Sequence, residues 1–441
     1  MLQVISSAWA LLIGVGLLMI GNGLQGTLLG VRGEIEGFST FQMSYVMSAY
    51  FIGFLGGSRV APEMIRRVGH VRVFAALASF ISAVMILYPV FANPYAWFAG
   101  RVLIGFCFSG VYVTAESWLN NAASNENRGK ALSLYMIVQM IGIVSAQALL
   151  LVGDPSGYVT FVIASVVISI SFGPILLSIS PTPAFDTAKP MTLTQLYNIS
   201  PLGCMGMFLL GGVFSSQFGM AAVYGAHVGL SLPQISIFVA VFYIGATVLQ
   251  YPLGWVSDRM DRRLLIMMVA FAGGTGAMIG MLLGGQYLML LAAAFIIGGL
   301  SNPLYSLLIA YTNDYLQPED MAAASGGLIF INGLGAIAGP LITGWLMGDS
   351  VMGPGGFFLV IAVLLFALAA YAVYRATQRP SVRVEDTATY APMSPTSTPV
   401  AVELAQEYAA EIEAEAQAEA QAEVQAETEN DAQAEKRPTG T

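Results

Sequence analysis

The sequence predicts an all-α membrane protein: twelve transmembrane helices in two six-helix bundles, followed by a disordered acidic tail. Three observations predict it. The 441 residues are 56% hydrophobic and only 10% charged, with a mean hydropathy of +0.72, whereas soluble domains carry roughly a quarter of their residues as charges because their surfaces face water. Apolar runs of about 20 residues, enough to cross a bilayer at about 1.5 Å rise per residue, recur almost from the first residue. The net charge of -9 is concentrated beyond residue 380, where Asp and Glu far outnumber Arg383, Lys436 and Arg437 and the composition turns to Ala, Glu and Gln.

The elements follow in order. The first span, 6–30, has no Lys or Arg before it and no small-residue cleavage signal after Gly30, so it reads as a retained helix and not a leader. Spans 41–61 and 73–92 are separated by a short loop with Arg66, Arg67 and Arg72. Span 95–119 holds Arg101 within it, and 130–151 follows Arg128 and Lys130. Span 157–179 closes the first bundle, residues 1–180. A polar, proline-marked linker over 181–198 leads to 199–226 and 232–256, and a second short basic loop, with Arg259, Arg262 and Arg263, precedes 264–284. Spans 287–312, 321–347 and 356–377 complete the second bundle, residues 199–380. Residues 381–441 have almost no large apolar side chains after Tyr408. They cannot bury enough surface to fold alone, so a solvated cytoplasmic tail, dispensable for folding and transport, is the expectation.

Lys and Arg set the orientation, because short cytoplasmic loops collect them. Twelve of the fourteen basic residues before position 381 fall on one side of the predicted spans, which places both termini in the cytoplasm. A doubled arrangement of six helices suits alternating access, in which two bundles rock about one central site. The expected partners are the lipid bilayer and a small-molecule substrate, with proton coupling left open, and the chain is expected to work as a monomer.

Other functions are excluded or disfavoured by the same residues. The chain before the tail is close to neutral, which removes the electrostatic basis for nucleic-acid binding. Cys107 and Cys204 stand alone in apolar runs, without a CxxC pattern, so neither a metal site nor a disulfide framework is expected. There is no GxxxxGK[ST] nucleotide loop, no cofactor signature, and only His70 and His227 as histidines, so no enzyme is expected. The alternative to a secondary transporter is a membrane sensor or scaffold that binds a ligand without moving it.

Intramembrane polar groups are functional candidates because charge in a bilayer is costly. Arg101, Gly105, Ser109, Tyr112 and Glu116 follow one another at helical spacing, which puts them on one stripe expected to face a central cavity. Arg101 offers a planar fork for an anionic or strongly accepting substrate group, and Gly105 would leave room for it. Asn22 and Gln25 in the first span, Gln139 in the fifth, Gln217 and Tyr224 in the seventh, Asn302 and Tyr305 in the tenth and Asn332 in the eleventh complete the candidate cavity set. Gln147, Tyr243 and Gln250 are further polar groups within spans. Near the cytoplasmic end, Glu116 is expected to form a gating ion pair with Arg66, Arg67 or Arg128, the alternative being a proton carrier.

Gly254-Trp255-Val256-Ser257-Asp258-Arg259-Met260-Asp261-Arg262-Arg263 resembles the GxxxDRxGRR loop signature of the major facilitator superfamily, with Asp261 where glycine is usual. The first-half counterpart runs from Arg66 and Arg67 through Gly69 to Arg72; arginine stands where the superfamily places its Asp, leaving Glu63 as the carboxylate for a first-half latch. Glu116-Ser117-Trp118-Leu119-Asn120 with Arg128-Gly129, Glu34 to Ser39, and Ser200-Pro201-Leu202-Gly203 resemble the YcaD-like bacterial facilitators over about residues 5–378. The resemblance implies the major facilitator fold, with the first, fourth, seventh and tenth helices lining the cavity, and a location in a bacterial inner membrane. The Gly-Pro pair that drug/proton antiporters of that superfamily carry in helix five is absent from Gly142-Ile143-Val144-Ser145-Ala146-Gln147, which argues against multidrug export.

Overall fold

The computed structural model describes residues 2–122, 128–177 and 191–380, and beyond these residues 382–383, 387, 390–395, 397–398, 400–402 and 405. The described chain is helical throughout: α1 (Leu2–Ile35), α2 (Thr40–Val68), α3 (His70–Val90), α4 (Pro94–Ala122), α5 (Arg128–Leu149), α6 (Val159–Ser171), α7 (Gly173–Leu177), α8 (Leu193–Ile199), α9 (Pro201–His227), α10 (Leu232–Ser257), α11 (Arg262–Leu283), α12 (Tyr287–Asn313), α13 (Pro318–Leu346) and α14 (Gly356–Ala376). Among the described residues eleven stretches are long and apolar enough to cross a membrane, α6 and α7 forming one of them. In lipid every backbone polar group needs an internal partner, which the helix supplies.

The α2 helix, which covers the predicted span 41–61, is not among the eleven. Its apolar part carries Thr40, Gln42, Ser44, Ser48 and several Tyr and Gly, which hold its hydropathy down, and the helix continues to Val68 through Arg59, Glu63, Arg66 and Arg67. Glu63 lies 2.6 Å from both Arg66 and Arg67, pairs one helical turn apart that help the helix run on past the apolar stretch. The hydrogen bond from Arg67 holds the Glu63 carboxyl below the usual carboxylate range. Gly69 ends α2 at φ +85°, a conformation that favours glycine, and the chain turns directly into α3. The end of the predicted linker is helical. Thr192 and Gln195 form a capping box that starts α8, and Leu196 is buried. Residues 178–190, including Lys189, lie outside the described residues.

Helices α1 to α6 pack mainly among themselves, as do α9 to α14. The two sets meet where α1 crosses α9, α2 crosses α13 and α5 crosses α10. The closest crossings rely on glycine. A Cβ on Gly53 would overlap the Val102 carbonyl across the α2–α4 crossing, and one on Gly105 would overlap the Tyr50 carbonyl. Gly245 and Gly298 make the same backbone-to-backbone approach between α10 and α12. The α2–α4 and α10–α12 crossings are therefore built alike. The likeness shows again in the caps: Ser39 with Gln42 opens α2, and Ser231 with Gln234 opens α10.

Candidate functional site

A cavity of about 140 Å³ lies between the two sets of helices, lined by Asn22, Gln25, Tyr50, Arg101, Asn302 and Asn332 together with Phe214, Phe218 and Tyr243. One wall is a polar relay. Arg101 donates to the Gln25 side-chain oxygen at 2.6 Å, Gln25 donates to Asn22 at 3.3 Å, and Asn22 donates to the Tyr112 hydroxyl at 3.0 Å. The Arg101 guanidinium also sits 4.9 Å from the Tyr50 ring centre and 3.6 Å from the Met47 sulfur. These partners are all neutral. Arg101 is 4% exposed, and its Nε finds no hydrogen-bond partner among the described residues.

The facing wall is aromatic and amide. Phe218 stacks on Tyr243 at 4.6 Å and on Phe214 at 6.1 Å. Asn332 is oriented by donating to the Met207 carbonyl at 2.9 Å, whereas the Asn302 side-chain oxygen is buried without a partner among the described residues. A cation held by neutral groups on one side and planar rings on the other can grip a ligand with an anionic group and an apolar body.

The structure corrects part of the expected cavity set. Gly105 leaves no room for a ligand, because the α2 backbone already fills its open face. Ser109 likewise faces α2, beside Gly57, and not the cavity. Gln139 is buried in hydrogen-bond contact with Tyr135, and Gln217 accepts from Ser301 at 3.0 Å to join α9 to α12. Tyr305 packs on Phe214 from a fully buried position outside the lining. Tyr224 is further away, stacked 5.0 Å from Phe357 between α9 and α14. Gln147 bridges α5 to Thr27 and the Gly23 carbonyl of α1. Tyr50, Met47, Phe214 and Phe218 were invisible to sequence reasoning, since apolar and aromatic residues inside an apolar span carry no distinguishing pattern.

The charged loop groups fall into two arrangements. In the second half, Arg262 is buried and ion-pairs with Asp314 at the end of α12, reaches Asp258 at 3.4 Å and donates to Ser257 at 3.2 Å. Arg263 donates to the Arg375 and Arg379 carbonyls at the end of α14, at 3.3 and 2.6 Å. Asp261 caps α11 by accepting from the Arg263 amide at 2.8 Å, which gives this residue a role where the resembling signature has glycine. Arg259 is peripheral, lying over the Trp255 ring at 4.2 Å. Asp314 was missed; a lone carboxylate just past a span, opposite an arginine loop, was its only signal.

In the first half neither Arg66 nor Arg67 makes the expected pairing with Glu116. Arg66 and Arg67 are exposed and paired with Glu63 on their own helix, so Glu63 does not latch another helix and neither arginine reaches Glu116. The Arg128 side chain lies outside the described residues. Glu116 is fully buried, and it accepts from the Tyr135 hydroxyl at 3.2 Å, the Thr398 amide at 3.0 Å and the Thr398 hydroxyl. Thr398 belongs to the segment expected to be solvated. Tyr390, Met393, Ser394, Ser397, Thr398, Ala401 and Val402 are in fact buried, so the described beginning of the tail is a docked segment. Its residues beyond 405 lie outside the described ones.

The comparisons with known proteins agree with this architecture. The profile of the Major Facilitator Superfamily matches residues 11–200 and 202–409. The chain is 26% identical to the uncharacterized MFS-type transporter YcaD of Escherichia fergusonii over 363 residues, covering 81% of this chain and 92% of that one. Among solved structures, a mutant of the nucleoside transporter NupG superposes with a TM-score of 0.72 at 16% identity, covering 83% of this chain and 99% of that chain. A bacterial homolog of the human lysosomal transporter Spinster does so with a TM-score of 0.64 at 14% identity, covering 92% and 98%. With the family profile spread over both sets of helices, around a central cavity and a basic loop that latches α11 to α12, the chain belongs to the major facilitator superfamily of membrane transporters, and it is not an enzyme.

Proposed function

We propose that the protein is a secondary transporter that moves a small anionic or strongly hydrogen-bond-accepting solute by alternating access, with Arg101 as the group that recognises it. The observation that supports this is the Arg101 environment: a buried guanidinium at the cavity wall, with only neutral partners and an unused Nε donor among the described residues. A buried cation without a counter-ion is costly, and an incoming carboxylate or phosphate relieves that cost. The Phe214–Phe218–Tyr243 face supplies apolar contact for the rest of the solute.

In this reading α2 is the twelfth membrane crossing, and residues 1–180 and 199–380 are the two rocking bundles, joined by 181–198. The arginine-bearing face is cytoplasmic, the chain lies in the bacterial inner membrane, and it works as a monomer surrounded by lipid. Reporter fusions after Arg263 and Arg379 should both register the cytoplasm; a signal from the outer side at Arg263 would overturn the orientation. On the opposite face the two sets of helices touch: Gly30 packs on Ala222, Thr40 donates to the Gly344 carbonyl at 3.1 Å, and Ser236 donates to the Gln147 carbonyl. This conformation is therefore read as closed to the outside.

Recognition is tested by thermal-shift screening of purified protein against a panel of organic anions and their neutral amides or esters. Stabilising compounds should be predominantly anionic, and Arg101→Gln should lose their shift with an unliganded melting point near that of the wild type. Loss of a buried charge–ligand pair corresponds to about 2–5 kcal/mol, a weakening of 30-fold or more. Equal stabilisation of both proteins by the same anion would remove Arg101 from the site.

A further inference from the structure

On the basic face, residues 390–395, 397–398 and 400–402 lie between α4 and α5 on one side and α10 and α12 on the other. The segment's contacts begin on the second set of helices and end on the first. The Tyr390 amide donates to Asp258 at 2.9 Å, and the Tyr390 hydroxyl accepts from Gln250 at 3.0 Å. The Met393 amide donates to the Ser306 hydroxyl at 2.8 Å. The segment then turns, with Ser397 and Ser394 bonded to each other, and crosses to Glu116 through the amide and hydroxyl of Thr398. Asp258, Gln250 and Ser306 belong to the second set of helices and Glu116 to the first.

The seat is shaped for this segment. A Cβ on Gly254 would lie 2.6 Å from two carbons of the Tyr390 ring, so glycine makes the space that the ring fills. Met393, Ala401 and Val402 are buried with it. Residues 390–402, Tyr-Ala-Pro-Met-Ser-Pro-Thr-Ser-Thr-Pro-Val-Ala-Val, contain no charge, whereas the run that follows is rich in Glu. Neutral backbone amides can satisfy the two receiving carboxylates, Glu116 and Asp258, where a Glu-rich stretch would repel them. Ser394 and Pro395 form part of the central cavity wall. Tyr390, Met393 and Ser394 also line a cleft of about 630 Å³ between α5 and α10 that reaches Asn302.

We infer that residues 390–402 are a built-in ligand of the basic-face mouth: docked, they tie α4 to α10 and α12 and close the path to the central cavity, and solute exchange on that face requires them to leave. A short tether from the end of α14 at Ala376 holds the segment at an effective concentration on the order of millimolar, so modest contacts keep it seated. The consequence for exchange rests on the transporter reading. The docking does not, and it is measured without a substrate.

The test uses the full chain with a Val239→Cys reporter. Val239 lines the central cavity at 5% exposure, and the native Cys107 and Cys204 are buried. A water-soluble maleimide applied to the purified protein should label the reporter slowly. Thr398→Asp, which sets a second carboxylate against Glu116, and Tyr390→Ala, which empties the Gly254 seat, should each speed labelling at least 10-fold. A synthetic peptide of residues 388–405 at millimolar concentration should slow it again. Unchanged labelling in both variants, each confirmed monodisperse, would overturn the proposal. Thr398→Val provides a milder arm, removing only the hydroxyl bond, with a several-fold acceleration expected and no acceleration counting against docking. Faster labelling without any transport activity would retain the docked segment and reject only the transporter reading.

Discussion

Replacing Gly105 by valine is expected to abolish the folded protein. A Cβ at this position would overlap the Tyr50 carbonyl and approach the Tyr50 Cα to 3.0 Å, so the obstacle is backbone and no rotamer change removes it. The α2 and α4 helices would have to separate, and Gly53 and Gly57 on the facing helix meet the α4 backbone in the same way. Separation would also shift Arg101 away from Gln25, because the arginine sits one turn from the crossing. Overpacking usually costs about 1–3 kcal/mol where side chains can adjust; with backbone on both sides the cost should exceed about 3 kcal/mol. Yield of monodisperse protein and its thermal midpoint measure the effect, with Gly105→Ala as the graded case. Wild-type stability in Gly105→Ala would show that the crossing is looser than described.

Arg262→Ala should be the most damaging charge removal in the basic loop. The Arg262 and Asp314 side chains are 1% and 2% exposed, so deletion leaves the carboxylate buried without this guanidinium. Breaking a buried pair from one side costs about 3–5 kcal/mol, whereas replacing both partners with apolar residues of similar volume is often near neutral. The double variant Arg262→Met with Asp314→Leu should therefore recover most of the stability lost in Arg262→Ala. By contrast Arg66→Ala and Arg67→Ala, which break exposed, solvent-screened pairs with Glu63, should leave stability nearly unchanged. Chemical denaturation in detergent separates these cases. Equal losses for Arg66→Ala and Arg262→Ala would contradict the unequal roles assigned to the two loops.

The spans were legible in the sequence because lipid demands long apolar helices, and each predicted run lies on a helix. The end of α2 was not, since intrahelical pairing of Glu63 with Arg66 and Arg67 carries the helix past its apolar part. In α4 the helical spacing from Arg101 to Glu116 places these residues along one stripe, but spacing alone does not say what a stripe meets. Gly105 and Ser109 meet α2 at close range, while the longer Arg101 and Tyr112 side chains join the polar relay with Asn22 and Gln25. Tyr224 could not be separated from the cavity candidates, because a tyrosine within an apolar span reads the same in a core as beside a ligand. The tail was misjudged by averaging. Its Ala, Glu and Gln composition describes the residues after 405, and it hid a neutral Ser/Thr/Pro segment with Tyr390, Met393, Val400 and Val402 at its start. Residues that contact one another only through tertiary structure, such as Thr398 and Glu116, leave no local pattern to read.

The central claim is that Arg101 recognises an anion which the protein carries across a membrane. Counterflow in proteoliposomes tests it most directly, using a radiolabelled form of whichever anion stabilises the purified protein. Vesicles preloaded with that anion should accumulate the label transiently, Arg101→Lys should be slower, and Arg101→Gln should fall to the level of protein-free vesicles. Counterflow by Arg101→Gln equal to the wild type, or preferential exchange of the neutral amide over the anion, would contradict the account.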